Sequence, residues 1–133
     1  MEQDDNCNAN SKRLFQVLVV DDDPSQRLIM SKHLEHFGIK VDCATNGFEA
    51  VRQVENSQYV LIFMDIQMPH MNGLQAAEAI RIHEKTKGHP SVPIIATTAG
   101  GATLEQCLEV GMTGFLQKPV DSATLEKILS QIL

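Results

Sequence analysis

The chain has 133 residues, 43% of them apolar, with seventeen acids against eleven bases and a formal net charge of −6. That length fits one domain able to bury about two-thirds of its unfolded surface, and that apolar share excludes a disordered polymer. The acidic balance excludes a general binder of nucleic acid or anionic lipid, because both are held by clustered Lys and Arg. No apolar stretch reaches the ~18 residues that span a membrane, and the start MEQDDNCNANSK lacks the basic end and apolar centre of a signal peptide. Cys7, Cys43 and Cys107 are too few and too scattered for a disulfide framework, and no CxxC pair suggests zinc. Cys43 and Cys107 fall within apolar patterns, where cysteine acts as a small hydrophobe. A reducing, cytoplasmic setting is expected.

Residues 1–12 carry no hydrophobic period and read as a flexible acidic tail; the domain is expected over 13–133. Phe15 to Val20 is a valine-rich run that ends at Asp21-Asp22-Asp23-Pro24, as a strand buried on both faces would. Pro24 suits a helix's first turn, Met30, Leu34 and Phe37 share one face, and Gly38 stops the helix. Lys40 to Ala44 reads as a second strand, Asn46-Gly47 as a turn, and Ala50, Val51 and Val54 as a second helical stripe. Tyr59 to Met64 is the most hydrophobic run and is closed by Asp65. After the loop from Gln67 to Gly73, a third helix carries Leu74, Ala77 and Ile80 and ends near Lys85, Lys87 and Gly88. Pro93 to Thr98 is a fourth strand, Leu104 to Val110 a short helix, and Gly114 to Gln117 a fifth strand. Lys118-Pro119 precedes a last helix with Leu125, Ile128, Leu129 and Ile132 on its apolar face. Five strands alternating with five helices predict an α/β fold, a parallel sheet covered on both faces through right-handed crossovers.

In such sheets ligands bind beyond the carboxyl ends of the strands. There the first strand delivers Asp21, Asp22 and Asp23, the third Asp65, the fourth Thr97 and Thr98, and the fifth Lys118. Clustered carboxylates repel unless a cation sits among them. Hard oxygen donors with room for water suit Mg²⁺, or the similar Mn²⁺. A carboxylate with a lysine and a hydroxyl nearby can also act as a nucleophile and form an aspartyl phosphate. Each residue alone has a plainer reading. An Asp-Asp pair after a strand is often a helix cap and turn, with Asp22 or Asp23 as the cap. Asp65 could be a turn residue, and Thr98 a strand-end hydroxyl. Lys118 is the hardest to explain that way, because it follows an apolar strand and precedes a proline. His33, His36, His70, His83 and His89 lack metal-ligand spacing, with His33 and His36 read as solvated, and Gly100-Gly101 lacks the surroundings of a phosphate loop. Met68 and Met71 flank the loop after Asp65 and are candidates for partial exposure to a partner.

The segments LVVDDDPSQR, LIFMDIQMPHMNG, IIATTA and GFLQKPV, in this order and spacing, resemble the response-regulator receiver domain of two-component signalling. The resemblance covers Phe15 to Leu133. It implies a flavodoxin-like, doubly wound sheet of five strands in the order 2-1-3-4-5 with five helices. It implies that Asp65 accepts a phosphoryl group from a phosphohistidine, and that Asp21, Asp22, Asp65 and the Gln67 backbone carbonyl hold Mg²⁺. The backbone N–H groups of Ile66 and Ala99 would bind the phosphoryl oxygens. Lys118, before a cis peptide to Pro119, would pair with them, while Thr98 and Phe115 would form the switch. The implied partners are a histidine kinase or histidine phosphotransfer protein, and a downstream protein or fused kinase domains. IRIHEKTKGHPSVPIIATTA and GMTGFLQKPV are similar to receivers attached to hybrid histidine kinases. Two features depart from the family pattern. The segment from Ala99 to Gly111 is about two residues short and opens with two glycines, which weakens the fourth helix and the family's usual signalling face. Asn72 stands where aspartate is common and is expected to matter little for chemistry. Two other readings stay open: a haloacid-dehalogenase-like phosphatase using Asp21 as nucleophile and Asp23 as acid, and a receiver-like binding module that is never phosphorylated. Residues 1–12 carry −2 of the net charge, and Asp21, Asp22, Asp23 and Asp65 equal the whole excess of the remainder.

Overall fold

The computed structural model describes residues 16–133; the expected tail with Cys7, and the first residue of the expected first strand, Phe15, lie outside the described residues. Among the described residues five strands form one sheet: β1 Gln16–Val20, β2 Lys40–Ala44, β3 Leu61–Asp65, β4 Ile94–Thr98 and β5 Gly114–Gln117. All four pairings are parallel, in the order β2-β1-β3-β4-β5. Among the described residues one helix follows each strand: α1 Pro24–His36, α2 Gly47–Asn56, α3 Gly73–Lys87 and α4 Leu104–Glu109 connect the strands, and α5 Ser122–Ile132 follows the last. This is the parallel α/β sheet that the alternating pattern predicts, in the doubly wound, flavodoxin-like order that the resemblance implies.

Side chains alternate across the sheet, so each strand feeds two cores. Val17, Val19, Leu61, Phe63 and Ile95 pack with Met30 and Leu34 of α1 and Leu125 and Leu129 of α5. Leu18, Val20, Ile62, Met64 and Ala96 pack on the other face with Ala50 of α2, Ala76, Ala77 and Ile80 of α3, and Cys107 of α4. Burying strands on both faces is why β3 reads as an apolar run up to Asp65, and why even Thr97 and Thr98 at the end of β4 are buried. Each fully buried Leu, Ile or Phe stabilises the fold by about 1.5–3 kcal/mol.

The helix ends follow local chemistry. Asp23 caps α1 by accepting from the Ser25 N–H at 2.9 Å, with Pro24 in the first turn. Asn46 caps α2 through the Glu49 N–H, so Asn46-Gly47 is a helix start more than a free turn. Asn72 closes a capping box with Gln75 at the start of α3, which gives the unusual residue a structural task. Gly88 ends α3 in the left-handed region at φ 69°. The fourth helix is short, as expected: six residues held by a second capping box, between Thr103 and Gln106.

Three expectations need correction. β3 begins at Leu61, since Tyr59 lies before it and its hydroxyl bonds Asp42 and Gln53. Cys43 is exposed, because β2 is an edge strand; Cys107 is the buried small hydrophobe. Met68 is buried, only 8% exposed, and Met71 packs half-buried against the same core, because the loop after β3 folds back over α2 and α3.

Candidate functional site

The sheet's register creates the site. Val20 pairs with Met64 and Asp65 with Thr97, so Asp21, the next residue along β1, comes level with Asp65. The Lys118 N–H donates to the Thr98 carbonyl at 2.8 Å, which extends the β4–β5 pairing and carries Lys118 to the same rim. Its ammonium Nζ lies 2.8 Å from Asp21 Oδ2 and 3.2 Å from Asp65 Oδ1. Asp21 and Asp65 are buried, at 4% and 3% exposed, whereas Asp22 is open to solvent. Carboxylate oxygens of Asp21, Asp22 and Asp65 all lie within 4.8 Å of one another. The Lys118–Pro119 peptide is cis, as the resemblance implies.

Burial and the nearby Asp21 charge push the Asp65 carboxyl up to about 6, against the opposing pull of Lys118 and the Gln67 N–H. Burial alone would lower the Lys118 ammonium, but its hydrogen bond and charge attraction to Asp21, then to Asp65, hold its pKa above the ordinary value. One lysine therefore stands between two buried acids and does not fully neutralise them. Asp65 Oδ1 takes Lys118 and, at 3.4 Å, the Gln67 N–H; Oδ2 takes no hydrogen bond from the described residues. Asp21 is steadied from three sides: Oδ1 accepts the Asp23 N–H at 2.9 Å, its carbonyl accepts Arg27 at 2.8 Å, and its N–H donates to the Ala44 carbonyl.

Other expected site residues sit differently. The Ile66 N–H donates to the Thr97 carbonyl at 3.0 Å, because the ladder runs one residue past β3. It is therefore not a free donor to the pocket, and the Gln67 N–H is the backbone donor nearest the acid. Ala99 is exposed at the end of β4. Thr98 is fully buried, and its hydroxyl donates to the Gly100 carbonyl at 2.6 Å and accepts the Gly100 N–H at 3.0 Å. Its hydrogen bonds turn back to its own loop. Phe115 is half-buried and packed against the core beneath α2, α3 and α4. Asp23 is occupied as the α1 cap, so it is not poised as an acid beside Asp21.

The sequence reading missed three contributors. The Gln67 side chain reaches the Gly100 carbonyl at 3.0 Å across the two loops. Arg27 anchors the end of β1, and its place one turn into α1 was the available signal. Gly73 lets α3 start against the acid's own backbone: its N–H donates to the Ile66 carbonyl, and a Cβ there would overlap the Asp65 carbonyl oxygen. The histidines stay outside the site's carboxylate cluster. His36 is exposed, while His33 is half-buried, a small departure from the solvated expectation. His70 is exposed with φ 70° in a tight turn, where the Met71 N–H bonds the Pro69 carbonyl. His83 and His89 stack edge to face at 5.7 Å beside a separate cleft of about 180 Å³ lined also by Tyr59, Ile62 and Val92.

Comparison with known proteins agrees with this geometry. Residues 17–130 match the response regulator receiver domain. The chain is 40% identical over 126 residues to hybrid signal transduction histidine kinase L of Dictyostelium discoideum, covering 91% of this chain and 7% of that protein. Among solved structures, the receiver domain of sensor histidine kinase PA1611 from Pseudomonas aeruginosa, which has magnesium coordinated in its active-site cleft, superposes with a TM-score of 0.79 at 34% identity. That match covers 90% of this chain and 97% of the other. The Saccharomyces cerevisiae receiver domain of Ssk1, solved with the histidine phosphotransfer protein Ypd1, gives a TM-score of 0.84 at 32% identity over 90% of this chain and 88% of the other. The match over nearly all of the described fold, together with an acid–lysine rim built by the sheet's own register, shows that the chain belongs to the response regulator receiver domain family, whose place is in two-component phosphorelay signalling.

Proposed function

We propose that this domain accepts a phosphoryl group on Asp65 from a phosphohistidine and relays the change to a partner. The observation that carries this is the pair of buried carboxylates bridged by Lys118, with Asp65 Oδ2 left without a hydrogen bond from the described residues. Oδ2 attacks phosphorus, the new O–P bond forms as the P–N bond to imidazole breaks, and the imidazole nitrogen takes a proton. Lys118 stays charged throughout and faces the oxygens on which negative charge collects. The short reach from Asp21 to Lys118 fixes that ammonium, so little reorganisation is needed.

The donor set fits a hard divalent cation. Three carboxylates gather within 4.8 Å, two of them buried, and among the described residues Lys118 is the one ammonium paired with them. Asp21, Asp22, Asp65 and the Gln67 carbonyl would hold Mg²⁺ or Mn²⁺. Such an ion supplies charge neutralisation for the phosphoryl oxygens. The partners follow from the reaction: a histidine kinase or histidine phosphotransfer protein as donor, and a downstream protein or fused domains as output. The chain spans a small fraction of the length of its curated relatives, 7% of the Dictyostelium kinase, so fused domains belong to this reading. No helix among the described residues is long and apolar enough to cross a membrane, and Cys43 and Cys107 are free thiols, which agrees with a reducing cytoplasm.

Signalling would begin when Thr98 exchanges its hydrogen bonds to Gly100 for the phosphoryl oxygens, with Phe115 repacking and a pre-existing equilibrium shifting. The test is phosphotransfer from candidate histidine donors, followed by intact mass with and without Mg²⁺. A single added phosphoryl group that requires Mg²⁺ and is lost in Asp65→Asn is expected. Transfer undiminished in Asp65→Asn would remove the assignment. If the wild-type chain binds no beryllofluoride phosphate mimic with Mg²⁺, the non-phosphorylated binding module becomes the better reading.

A further inference from the structure

The loop after β4 holds a second set of contacts that the acid site does not require. The Gly100 carbonyl accepts two donors at once: the Thr98 hydroxyl at 2.6 Å and the Gln67 side-chain amide at 3.0 Å. The Gly100 N–H returns to the Thr98 oxygen at 3.0 Å, so Gly100 satisfies both polarities of that hydroxyl. Gly100 and Gly101 lie at φ 145° and 84°, and a Cβ on Gly101 would stand 2.5 Å from the Gln67 Nε2. The amide therefore rests directly on the bare glycine backbone. Two consecutive glycines have more conformational freedom than any other pair. A hydrogen bond that closes a 33-residue separation onto them restrains that freedom.

We propose that the Gln67 side chain is a clasp that holds the Gly100–Gly101 loop in the position where Gly100 captures the Thr98 hydroxyl. The proposal rests on the phosphoacceptor reading and names a positioning residue for that site. The Thr98 side chain cannot turn toward Asp65 while Gly100 occupies both its donor and its acceptor. Release needs the loop to move, and the loop is fastened to residue 67, two places after the acid itself. Gln67 thus links the backbone beside Asp65 to the switch hydroxyl. Its amide opposes the turned state without touching any reacting atom.

The test is a double-mutant cycle with beryllofluoride at saturating Mg²⁺, followed by NMR of the Gly100 amide. Gln67→Met keeps length and backbone but removes the donor. The mimic should bind Gln67→Met about fivefold more tightly than wild type, the factor that one neutral hydrogen bond is worth. Exchange of the Gly100 amide hydrogen should quicken by a similar factor. In a Thr98→Val background no hydroxyl awaits release, so Gln67→Met should change mimic affinity by less than about 1.5-fold. Equal or weaker binding by Gln67→Met than by wild type overturns the clasp alone. A fivefold gain that persists in Thr98→Val also overturns it, because the effect would then bypass the hydroxyl. A wild-type chain that fails to bind the mimic overturns the phosphoacceptor reading and the clasp with it.

Discussion

Replacing Asp65 by asparagine is expected to stabilise the metal-free fold at neutral pH, even though it removes the central acid. Burial and Asp21 push that carboxyl from 3.8 up to about 6. The folded chain therefore binds the proton more tightly than the unfolded chain does. Between about pH 4 and pH 6 the folded state carries more protons, so stability falls as pH rises through that window. At pH 7 the ionised acid costs the fold up to roughly 3 kcal/mol, from about 1.36 kcal/mol for each pKa unit. Asparagine keeps the shape and stays neutral, but it gives up the charged partner of Lys118 at 3.2 Å. A net gain of about 1–2 kcal/mol is expected at pH 7, or on the order of 4–8 °C in Tm for a domain of this size. The gain should vanish below pH 4, where the wild-type acid is itself protonated. Urea unfolding followed by circular dichroism in EDTA, at steps from pH 4 to pH 7.5, measures both ends. With saturating Mg²⁺ the gap should shrink or reverse, because a ligand bound only by the folded wild type adds stability by mass action. A variant no more stable than wild type at pH 7, or a gap independent of pH, would refute the account of a strained acid cluster.

Three further outcomes follow from the same geometry. Lys118→Met leaves two buried acids facing each other without their cation, so unfolding should become easier by about 1–3 kcal/mol at pH 7 in EDTA, and phosphotransfer measured by intact mass should slow at least tenfold. Gly73→Ala places a methyl group onto the Asp65 backbone carbonyl; denaturant titration should show a loss of about 3 kcal/mol or more. Mg²⁺ affinity measured by calorimetry should fall by up to tenfold for each pH unit below about 6, as a proton competes for Asp65. A flat profile from pH 7 to pH 5 would show that Asp65 does not hold the ion.

Much of this molecule was legible in its sequence because its signals are local. A strand buried on both faces is mostly apolar and gives way to polar residues at its carboxyl end, so β1 and β3 announce their ends at Asp21 and Asp65, and β4 at the Thr97-Thr98 pair. Helix limits also follow short-range chemistry: Asp23 as a cap of α1 and Gly88 at the end of α3. Five such strands alternating with helices leave few topologies, and the strand ends then nominate Asp21, Asp22, Asp65 and Lys118. The tertiary structure decided what depends on distance and competition between partners. Which hydrogen bonds each group actually makes is not a local property. The Ile66 N–H could have faced the pocket, but sheet register gives it to Thr97. The Thr98 hydroxyl could have faced the acid, but a two-glycine loop offers it both a donor and an acceptor closer at hand. Asp23 could have been an acid, but the Ser25 N–H at the start of α1 claims it. Met68 could have been exposed, but the chain folds it into the core. Composition and period determined where the charges gather, because burial and hydrophobic alternation act residue by residue. Only packing decided how those charges are shared, because one lysine between two buried acids is a fact of three strands meeting at one rim.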